Sequence, residues 1–331
     1  MPHRLNRATF ARTLAAGATA ATIAVPNIVR GAELPRVRYM GLQPPGFVLL
    51  FDDTMKRFRF DIKHGVNIDL LGYAPSLSAL YNDFVVGNLD FTVGGWDAFA
   101  ARYVAGAPIA LTNTITSSHI VGIIANSSVT SIQSLAGKTI AALSASGSFR
   151  LVTNALRDYR GFDLEKSATI QNVNNQAEAI TLVQAGRADA AISWELYISV
   201  GLSKIPGSHV VYNLGEDLQK NLGSNIPYFA YAIHKDILTK NPGLGGKIAA
   251  AYADTINWVK KNRDEAIALA APKLDVPADA LKVAFTSGRF DLQPLSMTDP
   301  TGRRAVIAGA DYLVKNNGLA KKLDDGFFAA S

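Results

Sequence analysis

The sequence has no cysteine among its 331 residues. That excludes disulfides, thiolate metal sites, a catalytic thiol and a lipid-modified N-terminal cysteine. Histidine is sparse: His3, His64, His119, His209 and His234 are scattered, with no pair four residues apart to hold a metal on one helix face. No G-x-S-x-G surrounds Ser146 or Ser148, and NPGLGGK (241–247) lacks phosphate-loop spacing, because 241 is Asn and 248 is Ile. Beyond the N-terminus there is no run of about 18 uninterrupted apolar residues, which excludes a multi-span membrane protein. No basic stripe interleaved with aromatics is present, so nucleic-acid binding has little support. These absences predict no cofactor, no metal and no catalytic residues.

What is present is ordinary globular composition: 48% hydrophobic, 18% charged, 27 Gly and 14 Pro. At about 150 residues per domain the length suggests two domains. Residues 1–32 read as a removable export segment, with a basic start, a short mildly apolar middle and a Gly31-Ala32 end. Asn6-Arg7-Ala8-Thr9-Phe10 looks like a twin-arginine signal that lacks its second arginine, so the export route stays open between the two pathways. Four of the 33 basic residues (Arg4, Arg7, Arg12 and Arg30) lie in this segment, which leaves 29 against 27 acids. The remainder is expected to be a soluble, periplasmic, monomeric protein with no stable membrane insertion.

That remainder contains one unit twice. Residues 87–97 read GNLDFTVGGWD and residues 186–195 read GRADAAISWE. Gly87 aligns with Gly186 and Asp90 with Asp189; after a one-residue gap, Trp96 aligns with Trp194 and Asp97 with Glu195. Around each copy the pattern is strand, glycine loop, helix, strand, helix, strand. In the first copy these are 36–42, the turn Gln43-Pro44-Pro45-Gly46, 47–58, 66–73, 76–86 and 91–95. In the second they are 139–144, the loop 145–148, 149–161, 168–173, 176–185 and 189–194. Strands alternating with helices predict parallel-type sheets with right-handed crossovers, hence two α/β lobes. The chain is expected to cross near Thr116–Ser118 and return near Ser224–Pro227. That assigns residues 33–117 and 228–331 to lobe I, the latter mostly helical, and residues 118–227 to lobe II.

Several segments carry a family likeness: the stretch ending near Trp96, SLAGKTIAALSASGS (134–148), the Gly186–Trp194 stretch and HKDILTKNPGL (234–244). With them the chain resembles the substrate-binding proteins of ABC importers in the nitrate, sulfonate, taurine and thiamine-pyrimidine-precursor class, over nearly all its length after residue 32. The resemblance implies a two-lobed periplasmic-binding-protein type II fold that closes on a small-molecule ligand and presents it to an ABC permease with its ATPase. The family's fungal pyrimidine-precursor synthases use a Cys-rich motif that this chain lacks, which favours a non-enzyme. A non-metal enzyme of the same fold and a ligand-sensing module remain the alternatives.

In open parallel sheets, ligands sit beyond the carboxyl ends of the strands. Five segments reach such ends: Gln43–Phe47, Tyr73–Ser76, Gly95–Asp97, Ser144–Phe149 and Trp194–Glu195. Trp96 and Trp194 are expected on opposite walls of a cleft, with core packing as the alternative for each. The loop holding Ser146, Gly147 and Ser148, just before Phe149, suits an anion or an electronegative ring edge, or serves simply as a helix cap. Asp97 and Glu195 repel an anion unless paired; they suit an amine, an amidine-like ring edge or hydroxyl donors, or alternatively pair with basic residues of the permease or of the other lobe. Arg150 is able to pair with an anion or to stay solvated. Asn174, Ser117 and Tyr228 complete the candidate set. The expected ligand is small and planar, or bears a sulfonate or carboxylate.

Overall fold

The strand RVRYMGL buries alternate residues, Val37, Tyr39 and Gly41, as a sheet member should. The computed structural model describes residues 33–44 and 46–330. The export segment 1–32 and Pro45 of the first turn lie outside the described residues. Among the described residues ten strands form: β1 (Arg36–Leu42), β2 (Asn67–Ala74), β3 (Phe91–Gly95), β4 (Ile109–Thr114), β5 (Val121–Ala125), β6 (Thr139–Ala142), β7 (Thr169–Asn172), β8 (Ala190–Trp194), β9 (His209–Asn213) and β10 (Phe229–His234).

They build two five-stranded sheets, ordered β2-β1-β3-β10-β4 and β7-β6-β8-β5-β9. The α/β architecture stands, but the sheets are mixed rather than parallel. β10 runs antiparallel to β3 and β4, and β5 runs antiparallel to β8 and β9. Each reversed strand is the first one formed after the chain arrives from the other sheet. Local patterning carries no record of that exchange, because β5 and β10 are apolar runs like their parallel neighbours.

Equivalent positions in the two sheets do equivalent work. Gly87 and Gly186 both adopt positive φ, 82° and 68°, in the turn after a helix. Asp90 accepts from the Arg38 backbone N–H at 2.8 Å, and Asp189 from that of Thr139 at 2.9 Å. Each carboxylate ties the start of its strand to the neighbouring strand.

The crossing segments pair with each other. Ser118 N–H donates to the Ile226 carbonyl at 2.7 Å, and Tyr228 N–H to the Thr116 carbonyl at 2.8 Å. Helices from the C-terminal third then bridge to the second sheet's helices. Arg150 Nη1 donates to the Gly318 carbonyl at 3.0 Å, Arg157 Nη2 donates to Asn316 Oδ1 at 3.0 Å, and the rings of Tyr159 and Tyr312 stack at 5.7 Å. Among the described residues no helix is long and apolar enough to cross a membrane.

Candidate functional site

Two cavities of about 170 and 150 Å³ share Leu77, Leu143 and Trp194 in their walls and form one cleft. One side comes from the first sheet: Leu42 and Gln43 after β1, Pro75 and Ser76 after β2, Gly95 and Asp97 after β3. The other comes from the second: Leu143 and Ser146–Gly147 after β6, Asn174–Gln176 after β7, Trp194 at the end of β8. The cleft therefore lies beyond the carboxyl ends of three parallel strands from each sheet, the position expected for a ligand. All five segments named from the sequence contribute to it or adjoin it.

Helix starts frame the cleft. Ser76 Oγ accepts the Ala79 N–H at 3.2 Å and starts the helix Leu77–Val85. Asn175 Oδ1 caps Gln176–Gln184 through the Glu178 N–H, while Glu178 reaches back to the Asn174 N–H at 2.8 Å, a reciprocal capping pair. The third helix, Gly147–Arg160, starts two residues earlier than the sequence pattern suggests. Ser146 Oγ accepts the Phe149 N–H at 3.2 Å and bonds Ser148 Oγ at 2.9 Å. Gly147 and Ser148 thus sit in the first helical turn rather than in an open loop, and Ser148 and Phe149 are buried beneath it.

Trp194 is the aromatic wall. It lies edge-on to Phe229 at 5.6 Å and to Tyr197 at 6.0 Å. Burial pushes the Tyr197 hydroxyl up to about 12. Gln43 lines the same space and donates from Nε2 to the Pro75 carbonyl at 3.3 Å.

Trp96 does not face Trp194. Its indole is fully buried, donates from Nε1 to the Pro227 carbonyl at 2.7 Å, and packs on Gly309, where a Cβ would come within 2.7 Å of the ring. The reason is register. Gly95 pairs with Phe229 and Trp194 pairs with Val121; the N–H of Trp96 meets the Tyr228 carbonyl as that of Glu195 meets the Ile120 carbonyl. The equivalent residues are therefore Gly95 with Trp194 and Trp96 with Glu195, without the one-residue gap that the matching tryptophans suggest. In a strand one residue of offset turns a side chain to the other face.

Glu195 is likewise turned away from the cleft. It is fully buried, accepts from Arg289 Nε at 2.6 Å and from the Ser199 N–H at 3.1 Å. Phe47 packs among Phe51, Phe229 and Phe290 with ring centres 4.9–6.1 Å apart. Tyr73 lies beside Gly41 on β1, and Ser117 is buried in the crossing, where its Oγ accepts the His119 N–H at 3.3 Å. None of these lines either cavity.

Asp97 does reach the cleft. It is 6% exposed, and no cation lies within salt-bridge distance among the described residues. Its carboxylate presses on Gly147, where a methyl group would collide with it, and Oδ1 has no hydrogen-bond partner. Burial raises its carboxyl above the usual carboxylate range, opposed by backbone N–H groups at the start of its own helix and by the Arg150 and Arg102 guanidiniums. Tyr228 lines the same pocket, and burial together with the Asp97 charge raises its hydroxyl well above the ordinary value.

Sequence reasoning missed Leu77, Tyr81, Arg102 and Leu143. Tyr81 Oη accepts the Gly95 N–H at 3.0 Å, and the Arg102 guanidinium lies 4.2 Å from the Tyr81 ring centre. The available signal was Tyr81 standing four residues after Leu77, on one helix face. Among the described residues no three His, Asp or Glu side chains come together to hold a metal.

A family model described as "NMT1/THI5 like" matches residues 62–266. No curated protein matches the chain. Among solved structures, the periplasmic aliphatic sulphonate-binding protein SsuA of Escherichia coli is similar over 88% of this chain and 96% of its own, at 20% identity and a TM-score of 0.70. The alkanesulfonate-binding SsuA of Xanthomonas axonopodis pv. citri, bound to MOPS, is similar over the same shares at 17% identity and a TM-score of 0.69. The desulfurization enzyme DszB is similar over 90% of this chain and 97% of its own, at 16% identity and a TM-score of 0.59. At these identities the structural likenesses establish the fold.

Proposed function

The chain belongs to the NMT1/THI5-like family, and on that premise we propose that it is the solute-binding component of an ABC importer. It captures a small planar or sulfonate- or carboxylate-bearing compound and delivers it to a membrane permease. One observation carries the reading: a single cleft is built from the strand ends of two sheets between which the chain passes through paired crossing segments. Residues 33–117 with 228–331 act as one lobe, residues 118–227 as the other, and Thr116–Ser118 with Ile226–Tyr228 as the hinge. A ligand that touches both walls binds the closed arrangement better than the open one and shifts the population toward it.

The reading is of a non-enzyme. The fold also carries a desulfurization enzyme, but two of the serines lining the cleft, Ser146 and Ser76, serve as helix caps, and none of the described histidines lines either cavity. Export through residues 1–32 places the work in the periplasm, as a monomer.

A thermal-shift screen over aliphatic sulfonates, aromatic acids and aminopyrimidines tests the proposal. One class raises the melting point with a saturating dose dependence, because a ligand that binds only the folded form stabilises it by mass action. No shift with any class at millimolar concentration overturns it.

A further inference from the structure

We infer that Asp97 is the polar anchor of the cleft and that the ligand is a flat ring carrying an amine or amidine, preferred over any sulfonate or carboxylate. This narrows the binding-protein reading above and rests on it.

Three observations converge. Asp97 is 6% exposed, lines the cleft, and leaves Oδ1 without a partner. Buried carboxylate oxygens are nearly always hydrogen-bonded, so an orphan oxygen on a carboxylate that lines a cavity marks where a donor belongs. Next, the site already holds its anion. The carboxylate lies in the first turn of its own helix, Trp96–Val104, and against Gly147, the first residue of Gly147–Arg160. Two helix N-termini that attract negative charge are thereby served from within the protein. An incoming anion would meet Asp97; of the guanidiniums near it, Arg150 bonds the Gly318 carbonyl at 3.0 Å, and Arg102, in the same wall, bonds the Ala98 carbonyl at 2.9 Å and lies over the Tyr81 ring. Finally, Trp194, Leu77 and Leu143 give the adjoining space apolar walls that suit a ring.

Calorimetric titration of the full-length protein with benzamidine, benzenesulfonate and methanesulfonate separates the possibilities, because the first two share a ring and differ in charge. Wild type binds benzamidine at least ten-fold tighter than benzenesulfonate. Asp97→Asn loses at least ten-fold for benzamidine and nothing for benzenesulfonate. If that variant does not fold, the wild-type ratio and its pH dependence decide. Around Asp97 the charged and titratable neighbours are Arg102, Arg150, Tyr81 and Tyr228, and burial raises both tyrosine hydroxyls further above their ordinary value, away from neutral pH. Benzamidine affinity that falls toward acid pH, with benzenesulfonate affinity not falling, therefore reports Asp97. Either sulfonate binding wild type as tightly as benzamidine overturns the inference and leaves the importer reading standing. Silence from all three probes together with an empty thermal-shift screen overturns the importer reading itself.

Discussion

The tips of β3 and β8 occupy equivalent places in the two sheets and have opposite characters. Gly95-Trp96-Asp97 follows one strand and Trp194-Glu195-Leu196 the other. The first position faces the cleft: it is empty at Gly95 and filled by an indole at Trp194. The second faces inward: an indole at Trp96 holds the Pro227 carbonyl, and a carboxylate at Glu195 holds Arg289. The third is Asp97, in the cleft, against the buried Leu196. A duplicated frame has therefore been divided, with the charge contributed by one half and the ring and helix N-terminus by the other. The two second-position residues also do related work, since each fastens a strand tip to a segment that links the sheets.

Replacing the inward residues should break the fold before it touches the site. Trp96→Ala removes a fully buried indole and leaves the Pro227 carbonyl short of one donor; we expect a loss of about 3–5 kcal/mol in urea unfolding. Ligand affinity of the protein that remains folded should change by less than two-fold. Glu195→Ala strands Arg289, whose side chain keeps 16% of its exposure. Breaking a buried pair costs about 3–5 kcal/mol, and the residual hydration of Arg289 puts the expected loss near the lower end. If either variant unfolds at the wild-type urea midpoint, the second position carries no structural load and the comparison fails.

Replacing the outward ring should do the reverse. A ring contact contributes about 0.5–1.5 kcal/mol beyond area burial, so Trp194→Ala should weaken the ligand found in the screen by about two- to twelve-fold. Loss of the edge-on contacts with Phe229 and Tyr197 makes a smaller change in unfolding free energy than Trp96→Ala. Titration calorimetry beside urea melts separates the two. Equal destabilisation by both tryptophan variants would erase the difference between the faces.

The doubled unit was legible because Gly87, Gly186, Asp90 and Asp189 act locally, through a positive φ and a bond to the adjacent strand. Its last residues were misread because two tryptophans drew the alignment off by one, and a period of two converts that slip into a wrong face. The reversal of β5 and β10 was invisible for another reason: strand direction depends on which sheet a segment joins, and nothing in VGIIA or FAYAIH encodes it. Glu195 and Arg289 stand 94 residues apart in sequence, so their pairing needed the fold. The cleft itself was legible, because strand ends and helix starts place it without side-chain detail.

The smallest effect belongs to the third position and depends on pH. Asp97 and Asp90 lie on either side of β3 and titrate in opposite senses. Asp90 is held below the usual carboxylate range by bonds from Arg38, against the effect of burial, so its stabilisation is present above the unfolded value and is lost as pH falls. Asp97 is raised above that range by burial, so the folded state favours its protonated form. Its contribution is fully present below the unfolded carboxylate value and is lost as pH rises through its own raised value. Asp97→Asn removes this penalty and leaves Asp90 in place. In urea unfolding the variant should therefore gain on wild type as pH rises above about 4, until pH passes the raised value of Asp97, and keep that margin above it, while both lose stability together at lower pH. A difference between the two that does not vary with pH would mean that the carboxylate is as well solvated folded as unfolded. The orphaned oxygen beside Gly147 would then have no consequence, and the division of labour between the two strand tips would reduce to a ring on one side and nothing on the other.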